Sequence, residues 1–218
     1  MEARLKEKRF QLLNLSPLKR IWGIKMEKIY IALVDTPGFF ANIIRLAIQR
    51  DYIHVVLSMD EELEEAYSIG RRNPFIPWFA GFEKENKRKI CSAFPTARYR
   101  IYSLDCTKEQ KQRIAGALRT CYERRFRFHY CILGLPSILL QKPFYQERHY
   151  TCSSFIARLL SACGLHLFDK HFSLVTPADF YDYKKDDIMF EGALADFIAR
   201  KRPENARYHI ARGALYEG

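Results

Sequence analysis

At 218 residues, 48% hydrophobic and 14% aromatic, the chain has the apolar mass for one sizeable core and is too apolar to be a disordered polymer. Its net charge of +11, from 36 Lys and Arg against 25 Asp and Glu, suits an anionic surface, but the excess is scattered, so nucleic acid is not an expected partner. The longest apolar run, Cys131 to Leu140, contains Pro136 and is too short to span a bilayer, and the N-terminus has no secretory pattern, so a cytoplasmic location is expected.

Residues 1–25 read as a basic extension, either a stretch ahead of a start at Met26 or a short helix packed on the fold, followed by a single domain over 26–218. Ile29–Val34 (IYIALV) has the β-branched and aromatic character of a buried strand and ends at the Thr36-Pro37-Gly38 turn. Phe39 to Gln49 places Phe40, Ile43, Ile44, Ala47 and Ile48 at helical spacing. Tyr52–Met59 and Leu63–Ile69 read as a second and third strand about a turn at Asp60-Glu61. Residues 70–89, with two Pro, two Gly and several large aromatics, read as a long ordered loop, the usual form of a site rim or lid. Phe75, Trp78 and Phe79 are its candidate substrate-rim residues, although core packing explains the same aromatics. Arg98–Leu104 alternates like a strand, and Thr107 is placed to cap a helix from Lys108 to about Arg125. Phe126–Leu140 is apolar and fits strand, helix or both. An amphipathic helix over Tyr150–Cys163, stopped by Gly164, and a short helix opened by TPADF at 176–180 complete an α+β pattern.

Six cysteines, at 91, 106, 121, 131, 152 and 163, contain no CxxC pair, so no metal site is expected and thiols are the default. Cys152 stands apart. Thr151 is a suitable N-cap, which puts Cys152 in the first turn of a helix whose apolar face is Phe155, Ile156, Leu159, Leu160 and Cys163. Unpaired N–H groups and the helix dipole stabilise an anion there, so a thiol at that position is pushed toward thiolate, the nucleophilic form. The plainer alternative is one more small buried side chain, which is the expectation for Cys163.

A nucleophilic thiol needs a base and a group that orients the base. Among six histidines, His54 sits mid-strand with a second strand following at once. If Asp60-Glu61 is a two-residue loop, Val56 pairs with Glu65 and His54 with Tyr67, and Glu65 lies diagonally from His54 at roughly 7 Å on the same face. An odd loop turns Glu64 to that face instead. A strand histidine beside a glutamate is also a common surface pair.

The order of these segments resembles the permuted branch of the NlpC-type papain-like superfamily, the YiiX-like and lecithin retinol acyltransferase-like proteins. The matching stretches are IYIALV at 29–34, YIHVVLSMDEELEEAYSIGR at 52–71, NPF at 73–75, YCILGL at 130–135, YTCSSFIARLLSACG at 150–164, FDK at 168–170 and SLVTPADF at 173–180. The resemblance implies a papain-like α+β fold, with an antiparallel sheet carrying the histidine and the nucleophile helix packed against it. It implies Cys152 as nucleophile, His54 as base, Glu65 as the orienting group and Tyr130 as a donor toward the oxyanion. It also implies an acyl-enzyme formed from an amide or ester of a small molecule, peptide or lipid-like acyl substrate, with no metal or organic cofactor. The chain departs from the retinol acyltransferase-like side in lacking a membrane anchor and in having a carboxylate as third member. Two other readings compete with a hydrolase: a binding module on the same fold without turnover, and a basic adaptor for a membrane surface or nucleic acid, whose binding would be strongly salt-dependent.

Overall fold

The computed structural model describes residues 25–37, 45, 50–73, 76–131, 134–184 and 187–200. The strands are β1 (Glu27–Asp35), β2 (His54–Ser58), β3 (Ala66–Asn73), β4 (Ile76–Lys84), β5 (Arg98–Cys106), β6 (His129–Tyr130), β7 (His149–Tyr150) and β8 (Phe190–Ala193). The helices are α1 (Lys87–Ala93), α2 (Lys108–Glu123), α3 (Gly134–Leu139), α4 (Cys152–Ala162), α5 (Pro177–Tyr183) and α6 (Leu194–Arg200). The strands form one sheet in the order β7-β6-β4-β3-β2-β1-β5-β8, antiparallel throughout except for β6 with β7. The fold is α+β, and among the described residues no helix is long and apolar enough to cross a membrane.

β1 is an unbroken apolar run because the sheet is covered on both faces. Ile29, Ile31, Leu33, Val55, Leu57, Ile69 and Phe82 belong to one core with Phe155, Ile156 and Leu160 of α4, Ile114 and Leu118 of α2, and Phe180 of α5. Tyr30, Ala32, Val34, Val56, Ala66 and Ile101 belong to another, closed by Leu194 and Phe197 of α6 and by Ile90 and Phe94 around α1. Each fully buried aliphatic or aromatic side chain contributes about 1.5–3 kcal/mol, so the apolar face of α4 anchors that helix firmly.

Capping fixes the helix starts as expected. Thr107 and Gln110 make a reciprocal capping box for α2, and Thr151 and Ser154 make one for α4. α4 ends at Gly164, whose φ of +86° is costly for other residues.

Two expectations need correction, and two elements had no expectation. The hairpin joining β2 to β3 has five residues in its loop, not two: Met59 N–H donates to Glu65 O, and the register pairs Leu57 with Tyr67. Asp60 closes the larger loop, its carboxylate accepting the N–H groups of Glu64 and Glu65. The described residues of 70–89, which leave out 74 and 75, are not a loop but the end of β3, all of β4 and the start of α1. Pro77 is tolerated inside β4 because, among the described residues, β6 pairs with this strand at Gly81 and not at Pro77, so the Pro77 stretch is effectively an edge. Finally, β8 and α6 follow α5 and complete the second layer, where periodicity over so short a stretch gives no signal. Phe126–Leu140, open between strand and helix, is a 3₁₀ turn at Arg125–Arg127, then β6, then α3. The helix expected over 39–49 and the extension over 1–25 lie outside the described residues, Arg45 and Lys25 apart.

Candidate active site

Cys152 is the first residue of α4, and its neighbours are dictated by a parting of strands. Across the hairpin Met59 N–H points to β3, and N–H groups two apart on a strand point the same way, so Val55 N–H points to β3 as well. The β2–β3 register, however, ends at Leu57 and Tyr67. Val55 N–H is bonded instead to the sulfur of Cys152, as is the N–H of Ser153. The sulfur thus occupies the notch between two diverging strands, 98 positions along the chain from the histidine at the head of β2.

His54 reaches the sulfur from the other side of the notch, and the two side chains are hydrogen-bonded. Its Nε2 lies 3.1 Å from Ser68 Oγ and 3.1 Å from Glu85 Oε1, which leaves Nδ1 for the sulfur. Ser68 Oγ also donates to Glu85 Oε1, and Ser68 is fully buried. Glu85 stands just past the end of β4, where its N–H bonds to Ala66 O at 2.8 Å. The His54 and Glu85 side chains are 22% and 18% exposed, and Cys152 is 4% exposed.

Burial by itself would raise the Cys152 thiol. The charge and hydrogen bond of His54, with the two backbone N–H groups, outweigh burial and hold the pKa below the usual thiol range. Burial by itself would lower His54, but the negative sulfur and then Glu85 outweigh it and lift the imidazole well above 6.5. Glu85, despite its burial, is kept ionised by His54, Ser68 and Arg71. The surroundings thus favour a thiolate, an imidazolium and a carboxylate in sequence.

Glu65, the carboxylate expected to orient His54, does not do so. Its side chain is 52% exposed and is engaged by Lys84 Nζ and by Tyr67 Oη at 2.7 Å. The cause is register: with a five-residue loop, Ser68 and Gly70 share the His54 face, and Glu65 is carried to the hairpin end. Glu64, the alternative, is held by Lys87 Nζ. The carboxylate comes from one strand further on. Glu83 opposes Ser68 and Gly81 opposes Gly70, so Glu85, opposite Ala66, falls on the same face. The signal for it was the alternation Gly81, Glu83, Glu85, legible only once residues 76–84 are read as a strand.

Gly70 completes the seat. A Cβ there would stand 2.9 Å from His54 Cε1, 3.2 Å from Nε2 and 3.3 Å from Ser68 Oγ. The imidazole is pinned by three partners and cannot simply swing away. Gly70→Ala is therefore expected to cost about 1–3 kcal/mol in stability and to slow alkylation of Cys152 at least fivefold at pH 6. Thermal melting and reagent labelling measure the two effects on one sample.

Tyr130, on β6, is near enough for a negative Cys152 to help keep its phenol protonated, after burial itself, so it remains a donor. β6 is set close to β4 by another glycine: a Cβ at Gly81 would lie 2.5 Å from Phe128 O. Within the first turn of α4, Ser154 N–H goes to Thr151 Oγ1 and Ser153 N–H to the sulfur, and among the described residues the N–H of Cys152 in the same turn has no hydrogen-bond partner. Phe75 lies outside the described residues, and of Trp78 and Phe79 only the backbone, on β4, is described.

Comparison with protein-family models, curated proteins and solved structures found no match. Among the described residues, which include all six cysteines, no disulfide forms and no group of three metal-ligating side chains converges. The groups that the described residues bring together are the Cys152 sulfur, the His54 imidazole and the Glu85 carboxylate in series, with a phenol beside them.

Proposed function

We propose that the chain is a thiol hydrolase or acyltransferase acting on an amide or ester carbonyl, built as a permuted NlpC-type papain-like protein. The observation that supports this reading is the buried hydrogen bond between Cys152 and His54, with His54 backed by Glu85. An idle buried cysteine has its pKa raised, as Cys106 and Cys121 do, both pushed up to about 11 by burial.

In the proposed reaction the Cys152 thiolate attacks the carbonyl carbon, a C–S bond forms, and the carbonyl π pair moves to oxygen. The N–H of Cys152 and the phenol of Tyr130 receive that oxyanion. As the oxyanion collapses, the C–N or C–O bond breaks and His54 gives its proton to the departing amine or alcohol. The neutral imidazole then takes a proton from water, or from an acceptor alcohol or amine, which attacks the thioester. The acyl group leaves as acid, ester or amide, and the thiolate–imidazolium pair is restored. Glu85 holds the ring orientation and offsets the imidazolium charge, while Ser68 fixes Glu85.

Incubation with p-nitrophenyl acetate is expected to add one acetyl group to Cys152, seen by mass spectrometry after acid quench. Cys152→Ser and His54→Ala should each abolish the adduct at that position. Acetylation spread evenly over several cysteines, or none at Cys152, would exclude a working nucleophile and favour a binding module on the same scaffold.

A further inference from the structure

Next to the site is a second group of titratable side chains that the proposed reaction does not use. β6 and β7 are two residues each, paired in parallel, His129 beside His149 and Tyr130 beside Tyr150. The two imidazoles are stacked, with ring centroids 5.0 Å apart and planes 29° from parallel. Short backbone bonds join the strands, among them His129 N–H to Arg148 O and Cys131 N–H to Tyr150 O, each 2.9 Å. Each histidine immediately precedes a piece of the site. Tyr130 follows His129, and Tyr150-Thr151-Cys152 follows His149, with Thr151 capping α4.

We propose that the stacked pair His129–His149 is a proton-operated latch: neutral rings hold β6 to β7, and protonation of both drives them apart and withdraws Tyr130 from Cys152. The effect on turnover rests on the thiol hydrolase reading; the latch itself does not.

The surroundings of His129 favour its neutral ring. His149 Nδ1 faces Glu147 O at 2.9 Å. From β3, Arg72 reaches Phe128 O and Arg125 O beside β6, and its positive charge acts on His129. Arg125, in the 3₁₀ turn before β6, and Arg148, in the turn before β7, add further positive charge. Two carboxylates offset part of this. Glu83 of β4 is paired with Arg72 at 3.1 Å and is 3.9 Å from Arg125, and Glu147 is paired with Arg148 at 3.4 Å. Both are therefore committed to arginines. Partial burial, then His149, then Arg72 lower the pKa of His129. An ordinary imidazole titrates near 6.5, and the lowering of His129 places its protonation on the acid side of that value. Two like charges about 5 Å apart then oppose a pairing only two residues long. Stacking also argues against a metal bridge, since near-parallel rings aim their lone pairs side by side and not at one point.

Hydrogen-exchange mass spectrometry of the full chain at pH 5.0 and pH 7.5, normalised to the intrinsic exchange rate at each pH, tests the latch. In the wild type, protection of peptides spanning 128–131 and 149–152 should fall about tenfold at pH 5.0, with β1 and β5 unchanged. His129→Phe keeps a ring in the stack and removes the charge; it should abolish the fall, and His149→Gln should do the same by a different replacement. Equal protection at both pH values in the wild type, or an undiminished fall in either folded variant, would overturn the proposal. None of these readouts uses the reactivity of Cys152, so failure of the latch leaves the proposed reaction untouched, and an unreactive Cys152 leaves the latch standing.

Discussion

At pH 6, iodoacetamide is expected to modify Cys152 roughly 10- to 100-fold faster than any other cysteine of the chain. An ordinary thiol, with a pKa near 8.5, is about 0.3% thiolate at that pH. Cys152 sits below the usual range because His54, Val55 N–H and Ser153 N–H favour the anion, so its thiolate fraction is far larger. The full gain in thiolate is not realised as rate, because a less basic thiolate is a weaker nucleophile. Cys106, Cys121 and Cys163 lie on the other side of the comparison, all raised by burial. His54→Ala should slow Cys152 labelling at least tenfold at pH 6. Since the cysteine is only 4% exposed, thiolate absorbance near 240 nm provides a second measure that needs no reagent entry. Equal labelling of several cysteines, together with no acid-range absorbance change, would remove the nucleophile from the argument.

Replacing Glu85 by Gln is expected to move the alkaline limb of the pH–rate profile and leave the acid limb nearly in place. The acid limb belongs to Cys152, which must lose its proton to attack, and its depressed pKa sets the lower edge of activity. The alkaline limb belongs to His54, which must keep its proton for the leaving group, and its raised pKa sets the upper edge. Glu85 stabilises the imidazolium in both protonation states of the sulfur, so its removal chiefly lowers the upper edge. A hydrogen bond to a charged partner is worth about 1.5–3 kcal/mol, which is about 1–2 pH units on that limb. Acylation at pH 8 should fall about 10- to 100-fold for the same reason. Glu65→Gln, which removes only an exposed partner of Lys84 and Tyr67, should leave both limbs within a few tenths of a unit. A profile in which Glu65→Gln moves the alkaline limb and Glu85→Gln does not would reverse the assignment of the third group.

The two residues that do the proposed chemistry were legible in the sequence, and their support was not. Thr151 before an apolar face at helical spacing announces a helix start at Cys152, and a local signal of this kind survives folding unchanged. His54 at the head of a strand is local too. The orienting carboxylate depends on register, which a side-chain carboxylate at Asp60 decides by closing a longer loop. An odd change in loop length flips every residue to the other face, so Glu65 and Glu85 exchange roles on a difference that composition does not reveal. The stretch 70–89 hides its strand for a related reason: Pro and Gly punctuate loops in general, but here β6 pairs with β4 at Gly81 and, among the described residues, not at Pro77, and Gly70 and Gly81 admit an imidazole and a backbone carbonyl.

The amide of Val55 gives an unusual vantage on this molecule. Its proton points at sulfur where its strand neighbours point at oxygen. Its nuclear resonance should therefore shift whenever that sulfur is ionised, acylated or oxidised, so one backbone signal can follow the sulfur through the proposed cycle without any label being attached to it.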